Sequence, residues 1–246
     1  MSRTLVWFSA GAASAVAAKI IASEAPKDVS YVYCDTGAEH PDNARFMAEV
    51  SEWIGAPIET IRSKKYASTW EVFEKRRFLN GPSGALCTSE LKVAPRVAYQ
   101  RPDDIQVFGY CAGEDGRAER FRQNFFEVRI RTPLIERGLS KSDCLAMIQK
   151  AGIELPAMYR LGYRNNNCIG CVKGRAGYWN KIRKDFPEVF DRMAKQQRAL
   201  NAACWHEDGK PVFLDELDPT AGDYRAEEIS CSIFCAMTEM DLDDAA

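Results

Sequence analysis

The sequence predicts an α/β fold, in which a doubly wound, mainly parallel sheet carries helices on both faces. Short apolar runs alternate with longer segments of helical periodicity from residue 5 to residue 109. Small or polar residues follow these runs, at the edge of such a sheet where ligands bind. A chain of 246 residues has room for one large α/β domain, or for such a domain with an appendage.

The predicted strands of the first half are short apolar runs bounded by turn residues. They cover residues 5–9, 29–34, 58–62 and 105–109, and the helices that follow or separate them cover 13–24, 41–55, 69–77 and 87–99, the last with a break at Pro95. Pro41 opens the second helix, at a position where a missing N–H is tolerated. This order of strand, helix and strand predicts parallel pairing.

The pattern changes after residue 155. Before that point, residues 130–135 are predicted to be extended, and 141–151 to form a helix with Ser140 as its N-cap. Beyond it, irregular pieces surround two predicted helices at 178–186 and 187–203 and a short strand at 211–214. We therefore predict an α/β domain over 1–155 and a cysteine-bearing helical region over 156–246 packed on it. The acidic last eight residues are expected to form a solvated, frayed tail.

The loop between the first strand and the first helix is made of small residues. It consists of Ser9, Ala10, Gly11, Ala12, Ala13 and Ser14. Backbone N–H groups at a helix N-terminus bind anions, most often phosphate, and small side chains let a ligand approach the backbone closely. The loop is therefore either a phosphate site or a tight connection of the kind that any α/β protein contains.

Composition favours a soluble, cytoplasmic protein. The formal net charge is −2, and 46% of the residues are hydrophobic. No apolar run approaches the roughly 18 residues of a membrane span, and the N-terminus lacks the apolar core of a signal peptide. Seven basic residues and no acidic ones lie between residues 158 and 184. This basic stretch faces the phosphates of a nucleotide or a nucleic acid, or else is solvated surface.

Aromatic residues are interleaved with these basic residues. They are Tyr163, Tyr178 and Trp179. Aromatic rings beside cations suit the stacking of unpaired bases, but ordinary helix packing produces the same pattern. Both interpretations stay open at the level of the sequence.

Nine cysteines are many for a protein of a reducing compartment, where they serve more often as metal ligands or reactive thiols than as disulfides. Cys168 and Cys171 form a C-x-x-C pair, and Cys231 and Cys235 form a C-x-x-x-C pair about sixty residues later. Two such pairs can converge on one metal site. Their spacing suits both zinc and an iron–sulfur cluster.

Cys87 lies at the start of a predicted helix, five residues before Lys92. The helix dipole and the lysine are expected to lower the pKa of its thiol. Cys87 is therefore a candidate reactive thiolate or a further metal ligand. Cys34, Cys144 and Cys204 lie within or beside predicted strands and helices, where a buried cysteine acts as a small apolar residue.

Several motifs, taken in order, resemble those of the adenine-nucleotide α-hydrolase superfamily, in its phosphoadenylyl-sulfate (PAPS) reductase-like branch. The loop 9–14 resembles the PP-loop of that superfamily, and Asp35-Thr36-Gly37 resembles its D-T-G after the second strand. Four later segments resemble its cysteine-and-basic, G-x-R-x-x-E-S-x-x-R, L-P-x-x-Y-x-x-G-Y and C-x-x-C motifs, and they are 87–92, 109–120, 155–163 and 168–171. The resemblance covers about residues 4 to 175, and the ordered set is far more specific than any single motif.

The resemblance implies a Rossmann-like domain of the PP-loop type that holds an adenine nucleotide: ATP, adenylyl sulfate (APS) or PAPS. Backbone N–H groups of residues 10–14, with the hydroxyls at either end of the loop, would hold phosphate or sulfate oxygens. Asp35 and Thr36 would contact ribose or adenine, and Gly109 would lie at the nucleotide. Arg117 and Arg120 would neutralise phosphate charge.

Three departures from the family pattern bear on the chemistry. Ala13 occupies the place of an aspartate in ATP-cleaving relatives, which favours a sulfonucleotide over Mg²⁺-dependent cleavage of ATP. The chain lacks the C-terminal E-C-G-L-H-type string of the reductases, and Cys87-Thr88 stands where iron–sulfur reductases have adjacent cysteines. The expected cofactor is a 4Fe–4S cluster, with zinc as the alternative, held by Cys168, Cys171, Cys231 and Cys235, or by Cys87, Cys168 and Cys171.

Three functions follow from these features. The first is reduction of a sulfonucleotide, in which Cys87 or a cysteine of the 231–235 pair attacks sulfur and a thiol donor then releases sulfite. The second is ATP-dependent thiolation of a tRNA or DNA base by a cluster-bound sulfide or persulfide. The third is a non-catalytic module that binds a nucleotide or a cluster. We expect the first, with no membrane partner, and a homodimer is one assembly the chain allows.

Overall fold

The computed structural model describes residues 2–81 and 84–244 and contains a five-stranded parallel sheet. In chain order, the strands are β1 (Thr4–Phe8), β2 (Val29–Asp35), β3 (Ile58–Arg62), β4 (Asn80–Gly81), β5 (Gly84–Ala85), β6 (Ile105–Val107), β7 (Arg129–Arg131), β8 (His206–Glu207) and β9 (Lys210–Pro211). β4 pairs with β5 and β8 with β9 in two small antiparallel hairpins. The other five strands pair in parallel in the order β3-β2-β1-β6-β7. The predicted parallel α/β sheet is therefore confirmed.

Helices connect and flank these strands. In chain order, they are α1 (Ala12–Ser23), α2 (Asn43–Ile54), α3 (Thr69–Arg76), α4 (Leu86–Thr88), α5 (Ala94–Tyr99), α6 (Asp115–Asn124), α7 (Pro133–Glu136), α8 (Lys141–Lys150), α9 (Ala157–Arg160), α10 (Ala176–Asp185), α11 (Pro187–Leu200) and α12 (Ile233–Asp244). A π-helical turn, Ser89–Val93, joins α4 to α5. The elements from β1 to α3 lie close to their predicted bounds, because their apolar periodicity is regular.

Side chains that alternate along β1 pack on the two faces of the sheet. Val6 and Phe8 belong to a large core with α1, α2 and α8, which we call the first core. Leu5 and Trp7 belong to a smaller group on the opposite face, with Tyr99 of α5 packed against it. Helices therefore cover both faces, as in a doubly wound sheet.

The strand order fixes where a ligand can bind. β1 lies at the centre, the chain leaves it toward β2 and β3 on one side, and it returns to β6 and β7 on the other. In sheets of this kind the crevice outside the carboxyl ends of the strands, at the point where the order reverses, is the usual ligand site. That point here is the gap between the ends of β1 and β6.

A second core lies outside the sheet. It is built mainly by α10 and α11, and it includes Trp179 and Ile182, both 0% exposed, together with Phe73 of α3. The first core, in turn, includes Cys235 and Leu242 of α12, from the far end of the chain. Each core therefore contains buried side chains from both sides of residue 155. The predicted domain boundary at that residue remains a prediction.

Before the C-terminal helix, three predicted segments differ from the structure in the kind or the continuity of their secondary structure. Residues 86–99 are helical without a break, because Pro95 lies in the first turn of α5, directly after the π-helical turn. Residues 133–136 are helical rather than extended, with Pro133 in the first turn. The strand predicted at 211–214 is reduced to Pro211, paired across the hairpin with His206.

The C-terminal segment also differs from the prediction. α12 runs to Asp244, where the acidic composition predicts a frayed tail. Cys235, Thr238 and Leu242, on one side of this helix, are buried, and that burial orders the segment. Residues 245–246 of the predicted tail lie outside the described residues. Within the described ranges, no helix combines the length and the apolar character needed to cross a bilayer.

Candidate functional site

A cavity of about 650 Å³ opens at the carboxyl ends of β1 and β6. Its wall includes Ser9 and Gly11 after β1, Gly109 and Tyr110 after β6, and Lys141 at the start of α8. This is the crevice where the strand order reverses. A cavity of this size accommodates a nucleotide.

Ser14 holds the loop between β1 and α1 in place. Its Oγ accepts hydrogen bonds from the backbone N–H and the hydroxyl of Ser9, both at 3.0 Å, and donates to the carbonyl oxygen of Gly11 at 2.8 Å. Ala10 has a left-handed φ of 55°, and Asn166 Nδ2 donates to its carbonyl oxygen at 2.5 Å. The loop is thereby fixed at the N-terminus of α1, whose first N–H groups have no partner within the helix.

Gly109 lets the end of β6 approach this loop closely. A Cβ atom at position 109 would lie 2.9 Å from the backbone nitrogen of Ser14 and 3.0 Å from the carbonyl oxygen of Ala13. Contacts that short to backbone atoms force one segment to move. A side chain at this position would therefore displace the segment after β6 from the N-terminus of α1.

Positive charge predominates on the cavity wall. Its charged side chains are the cations Lys92, Arg96, Arg117 and Lys141 and the acid Glu114. Glu114 forms an ion pair with Arg117. Lys141 lies 3.3 Å from Glu227 and 5.9 Å from the ring centroid of Tyr159. Lys92 is likewise paired with Glu39 at 3.2 Å, so Arg96 is the one of the four cations that forms no ion pair within the described residues and is left to attract an anionic ligand.

Arg96 has an unsatisfied donor at the cavity. Its guanidinium lies 5.3 Å and 5.1 Å from the ring centroids of Phe108 and Phe121. Its buried Nε has no hydrogen-bond partner in the described part of the chain. Burial lowers the pKa of this guanidinium from its ordinary value. Arg96 therefore brings a positive charge to the cavity wall, while its Nε is itself buried from solvent.

Lys92, Glu39, Thr36 and Cys168 form a polar cluster next to the cavity. Lys92 Nζ lies 3.2 Å from Glu39 Oε1, and Cys168 Sγ lies 3.0 Å from Thr36 Oγ1. Burial raises the pKa of the Cys168 thiol to about 12. Burial acts to lower the pKa of Lys92, but the charge of the Glu39 carboxylate and its hydrogen bond with Lys92 act in the opposite direction, and the pKa of Lys92 is raised. Cys168 is therefore a neutral thiol beside a charged lysine.

The structure brings some of the predicted nucleotide-binding residues to the cavity and not others. Those on its wall are Ser9, Gly11, Ala13, Ser14, Gly109 and Arg117. Ala10 and Ala12 belong to the loop but are buried, and Arg120 is exposed on α6. Asp35 forms an ion pair with Arg62 at 2.5 Å. Asp35 ends β2 and Thr36 follows it, so both lie one strand away from the crevice between β1 and β6.

Other wall residues were not singled out as ligand residues by the sequence. Arg96 lies one helical turn after Lys92, and that spacing was the available signal. Lys141 is the first residue of α8, where a positive charge interacts unfavourably with the helix dipole. A role in binding a ligand would explain a lysine at this position. Asn166 shows no local signal at all. Cys34, predicted to be structural, also lines the cavity.

Cys87 lies in α4, next to the wall residue Thr88. Burial raises the pKa of its thiol, and Cys171 adds to the rise. Lys173 and Lys92 offset this only in part. The predicted lowering of this pKa is therefore wrong, because loss of hydration outweighs the nearby positive charges.

The two cysteine pairs do not converge. Cys231 and Cys235 form a disulfide with each other, whereas Cys168 and Cys171 are free thiols. The pairs are carried separately, since Cys235 belongs to the first core and Cys171 packs against the second.

The described residues therefore do not form the expected metal site of four cysteines. Among them, the one group of three potential ligands whose donor atoms lie within 4.8 Å of one another is Cys231, Cys235 and Glu239. Its two sulfurs are bonded to each other. The four-cysteine set is therefore not assembled, whereas Cys87, Cys168 and Cys171 are free thiols, and a 4Fe–4S cluster or zinc held by these three remains a prediction.

The three aromatic side chains that the sequence singled out in the basic stretch 158–184 are core residues. Tyr163, Tyr178 and Trp179 are 1%, 8% and 0% exposed. Arg164 and Arg183 are committed to backbone carbonyl oxygens, at 2.7 Å from that of Arg225 and 2.8 Å from that of Leu217. These three aromatic rings therefore offer no surface for stacking on bases, and the helix-packing interpretation applies.

Comparison with known proteins gives remote relatives. No family model matches the chain. The chain is 27% identical over 194 residues to the "Uncharacterized nin region protein ORF290" of Escherichia phage lambda, a match that covers 69% of this chain and 65% of the phage protein. The chain thus spans less than two thirds of the length of that relative. Among solved structures, it is similar to phosphoadenylyl-sulfate (PAPS) reductase from Candida auris in a phosphate complex, with a TM-score of 0.49 and 17% identity over 67% of this chain and 81% of that one.

Proposed function

We propose that the chain is an adenine-nucleotide-dependent enzyme of sulfur chemistry, a sulfonucleotide reductase of the PAPS reductase type. The observation that carries the proposal is the cavity between the ends of β1 and β6, whose wall combines residues of the loop 9–14 with four basic side chains. A phosphorylated and sulfated nucleotide presents the anionic groups that such a site attracts. The ordered motifs over residues 4–175 support the same assignment.

In this proposal, the phosphates lie against the loop 9–14. Backbone N–H groups of Ala13 and Ser14 would supply hydrogen bonds from the N-terminus of α1. Arg96 from α5, Arg117 from α6 and Lys141 from α8 would supply positive charge. An alanine at position 13 leaves no carboxylate for Mg²⁺ there, which favours a sulfonucleotide substrate over cleavage of ATP.

The proposed chemistry transfers a sulfonate group to Cys87. The Cys87 thiolate attacks the sulfonate sulfur, the S–O bond to the nucleotide breaks, and the nucleotide leaves with the electron pair. Cys171, which is close enough to raise the pKa of Cys87, then attacks Cys87 Sγ. This step releases sulfite and leaves a Cys87–Cys171 disulfide. An external dithiol restores both thiols, so each turnover consumes two electrons.

Sulfite release tests this proposal. The purified chain, given APS or PAPS with dithiothreitol, is expected to release sulfite and nucleotide in equal amounts. Cys87→Ser should release none. Cys34→Ser is the matched control, because Cys34 is a free thiol on the cavity wall with no part in the proposed steps. Cys171→Ser without dithiothreitol should accumulate a sulfonate adduct on Cys87, detectable by mass spectrometry.

Other outcomes point to the other functions. No sulfite from either nucleotide would contradict the reductase assignment. Thionucleosides that disappear from tRNA or DNA when the gene is deleted would favour base thiolation. Nucleotide binding without any turnover would favour a binding module.

A further inference from the structure

The Cys231–Cys235 disulfide is asymmetric in its exposure. Cys231 is exposed, whereas Cys235 is 0% exposed and belongs to the first core. Exchange between a thiol and a disulfide needs access to the sulfur that is attacked. A thiol from solution would therefore attack Cys231, and Cys235 would be the leaving group.

Two charged side chains flank the two sulfurs. Lys150 Nζ lies 3.0 Å from Cys231 Sγ and 2.8 Å from Glu239 Oε2. The other carboxylate oxygen, Glu239 Oε1, lies 3.7 Å from Cys235 Sγ. An ammonium group beside a sulfur stabilises a thiolate, and a carboxylate accepts a hydrogen bond from a thiol. Reduction would thus leave a thiolate at the surface and a protonated thiol inside.

The backbone on both sides of Cys231 is anchored to the N-terminal turn of α8. The N–H of Ser230 donates to Ser142 Oγ at 2.8 Å, and the N–H of Ser232 donates to Asp143 Oδ1 at 2.6 Å. These hydrogen bonds do not depend on the S–S bond. The segment can therefore be reduced and reoxidised without leaving its place on α8.

Apolar side chains follow the disulfide along α12. Ile233, Phe234, Met237 and Met240 are 71%, 51%, 58% and 68% exposed. Large apolar side chains scattered singly are normal, but a group of them exposed on one short helix indicates contact with another protein. Because the group begins beside an exposed disulfide, a protein that acts on disulfides is the partner it fits.

We propose that Cys231 and Cys235 form a redox-active disulfide on which a reduced protein dithiol docks. The donor thiolate attacks Cys231 Sγ, the Cys231–Cys235 bond breaks, and Cys235 leaves with the electron pair and takes up a proton. The second donor thiol attacks the donor's own sulfur in the mixed disulfide and releases Cys231 as a thiolate. Two electrons pass to the chain, and the donor ends as a disulfide. Of the two protons of the donor dithiol, one balances the proton taken up by Cys235, and the other goes to solvent when the attacking thiolate forms.

This proposal does not rest on the proposed function, because exchange between a thiol and the Cys231–Cys235 disulfide requires no nucleotide. The two also fail separately. Sulfite release with dithiothreitol depends on Cys87 and Cys171, whereas exchange on α12 is followed on the peptide that contains Cys231 and Cys235.

Alkylation and mass spectrometry of that peptide, on the full folded chain, test the proposal. After purification in air, the pair is expected to resist alkylation, and reduced thioredoxin should make Cys231 reactive before Cys235. Lys150→Met should slow alkylation of Cys231 in the reduced chain about tenfold at neutral pH. Lys184→Met, which removes an exposed lysine of α10, is the matched control and should leave the rate unchanged.

Met237→Glu separates the protein donor from a small thiol. Reduction by thioredoxin should slow about tenfold, whereas reduction by dithiothreitol should not change, because only a protein uses the apolar side chains. Equal rates for both reductants in this variant would overturn the docking surface. A thioredoxin with a single active-site cysteine should be trapped on Cys231. Trapping on Cys235, resistance to reduction until the chain unfolds, or zinc held by the two cysteines would overturn the exchange site.

Discussion

The segments 168–171 and 231–235 carry similar cysteine motifs in opposite surroundings. Cys168 lies in a polar cluster with Thr36 and Glu39, beside the cavity between the ends of β1 and β6. Cys231 is exposed two residues before α12, in a disulfide with Cys235 of that helix. The spacing alone predicts one shared metal site, but the two segments pack against different cores. The elements that carry a pair of cysteines, rather than the spacing within it, decide its chemistry.

Packing around the first pair gives the largest expected effect. Gly170, between Cys168 and Cys171, has a φ of 77°, and a Cβ there would lie 2.7 Å from Val189 Cγ1. Gly170→Ala should lower the free energy of unfolding by about 3 kcal/mol, from backbone strain and overpacking together. Urea denaturation measures this loss.

Gly152→Ala is the matched control for that substitution. Gly152 has a φ of 74°, but a Cβ there would meet no atom of the described residues within 4 Å, so this variant should lose only about 1 kcal/mol. Equal losses for the two variants would mean that the 168–171 segment is not tightly packed, and the contrast with α12 would then disappear.

Thiol reactivity gives the next effect. With a pKa of about 12 against the ordinary 9.0, Cys168 has about a thousandth of the usual thiolate fraction near neutral pH. A thiolate of higher pKa is also more nucleophilic, which offsets part of the loss in thiolate fraction. Alkylation of Cys168 should therefore be about thirtyfold slower than alkylation of an ordinary thiol. The rate should keep rising as the pH passes the ordinary pKa. Rapid labelling that levels off near that pKa would contradict the buried cluster.

Reduction of the second pair gives the smallest effect. The disulfide closes a loop of only four residues, so dithiothreitol should lower the free energy of unfolding by about 1–2 kcal/mol. Denaturation of the same chain with and without dithiothreitol measures it, since the other cysteines of the described residues are already free. Unfolding of the chain on reduction alone would mark the pair as a structural cross-link and not as an exchange site.

Local patterns were sufficient for the sheet and for the loop after β1. The apolar runs of β1, β2 and β3 are regular, and each is set by neighbours in the sequence. Ser140 caps α8 as predicted, and it forms a capping box with Asp143. The small residues of the loop 9–14 follow β1 directly, so the position of the loop followed from that of the strand.

The rest of the site depends on residues far apart in the sequence. Arg96, Lys141 and Asn166 meet at one cavity only because β6 returns beside β1 and the segment around Asn166 crosses the loop 9–14. No local pattern encodes such a meeting. Tyr163 and Trp179 alternate with basic residues as readily in a packed helix as on a base-stacking surface, and only their burial distinguishes the two.

Calorimetric titration of the chain with PAPS tests the central claim most directly, namely that the cavity binds an adenine nucleotide through the loop 9–14. We predict one site per chain, weakened at least about tenfold by Gly109→Ala, because a Cβ there would lie 2.9 Å from the backbone nitrogen of Ser14. Gly152→Ala should bind like the unmodified chain. Absence of binding, or binding that Gly109→Ala leaves unchanged, would contradict the account.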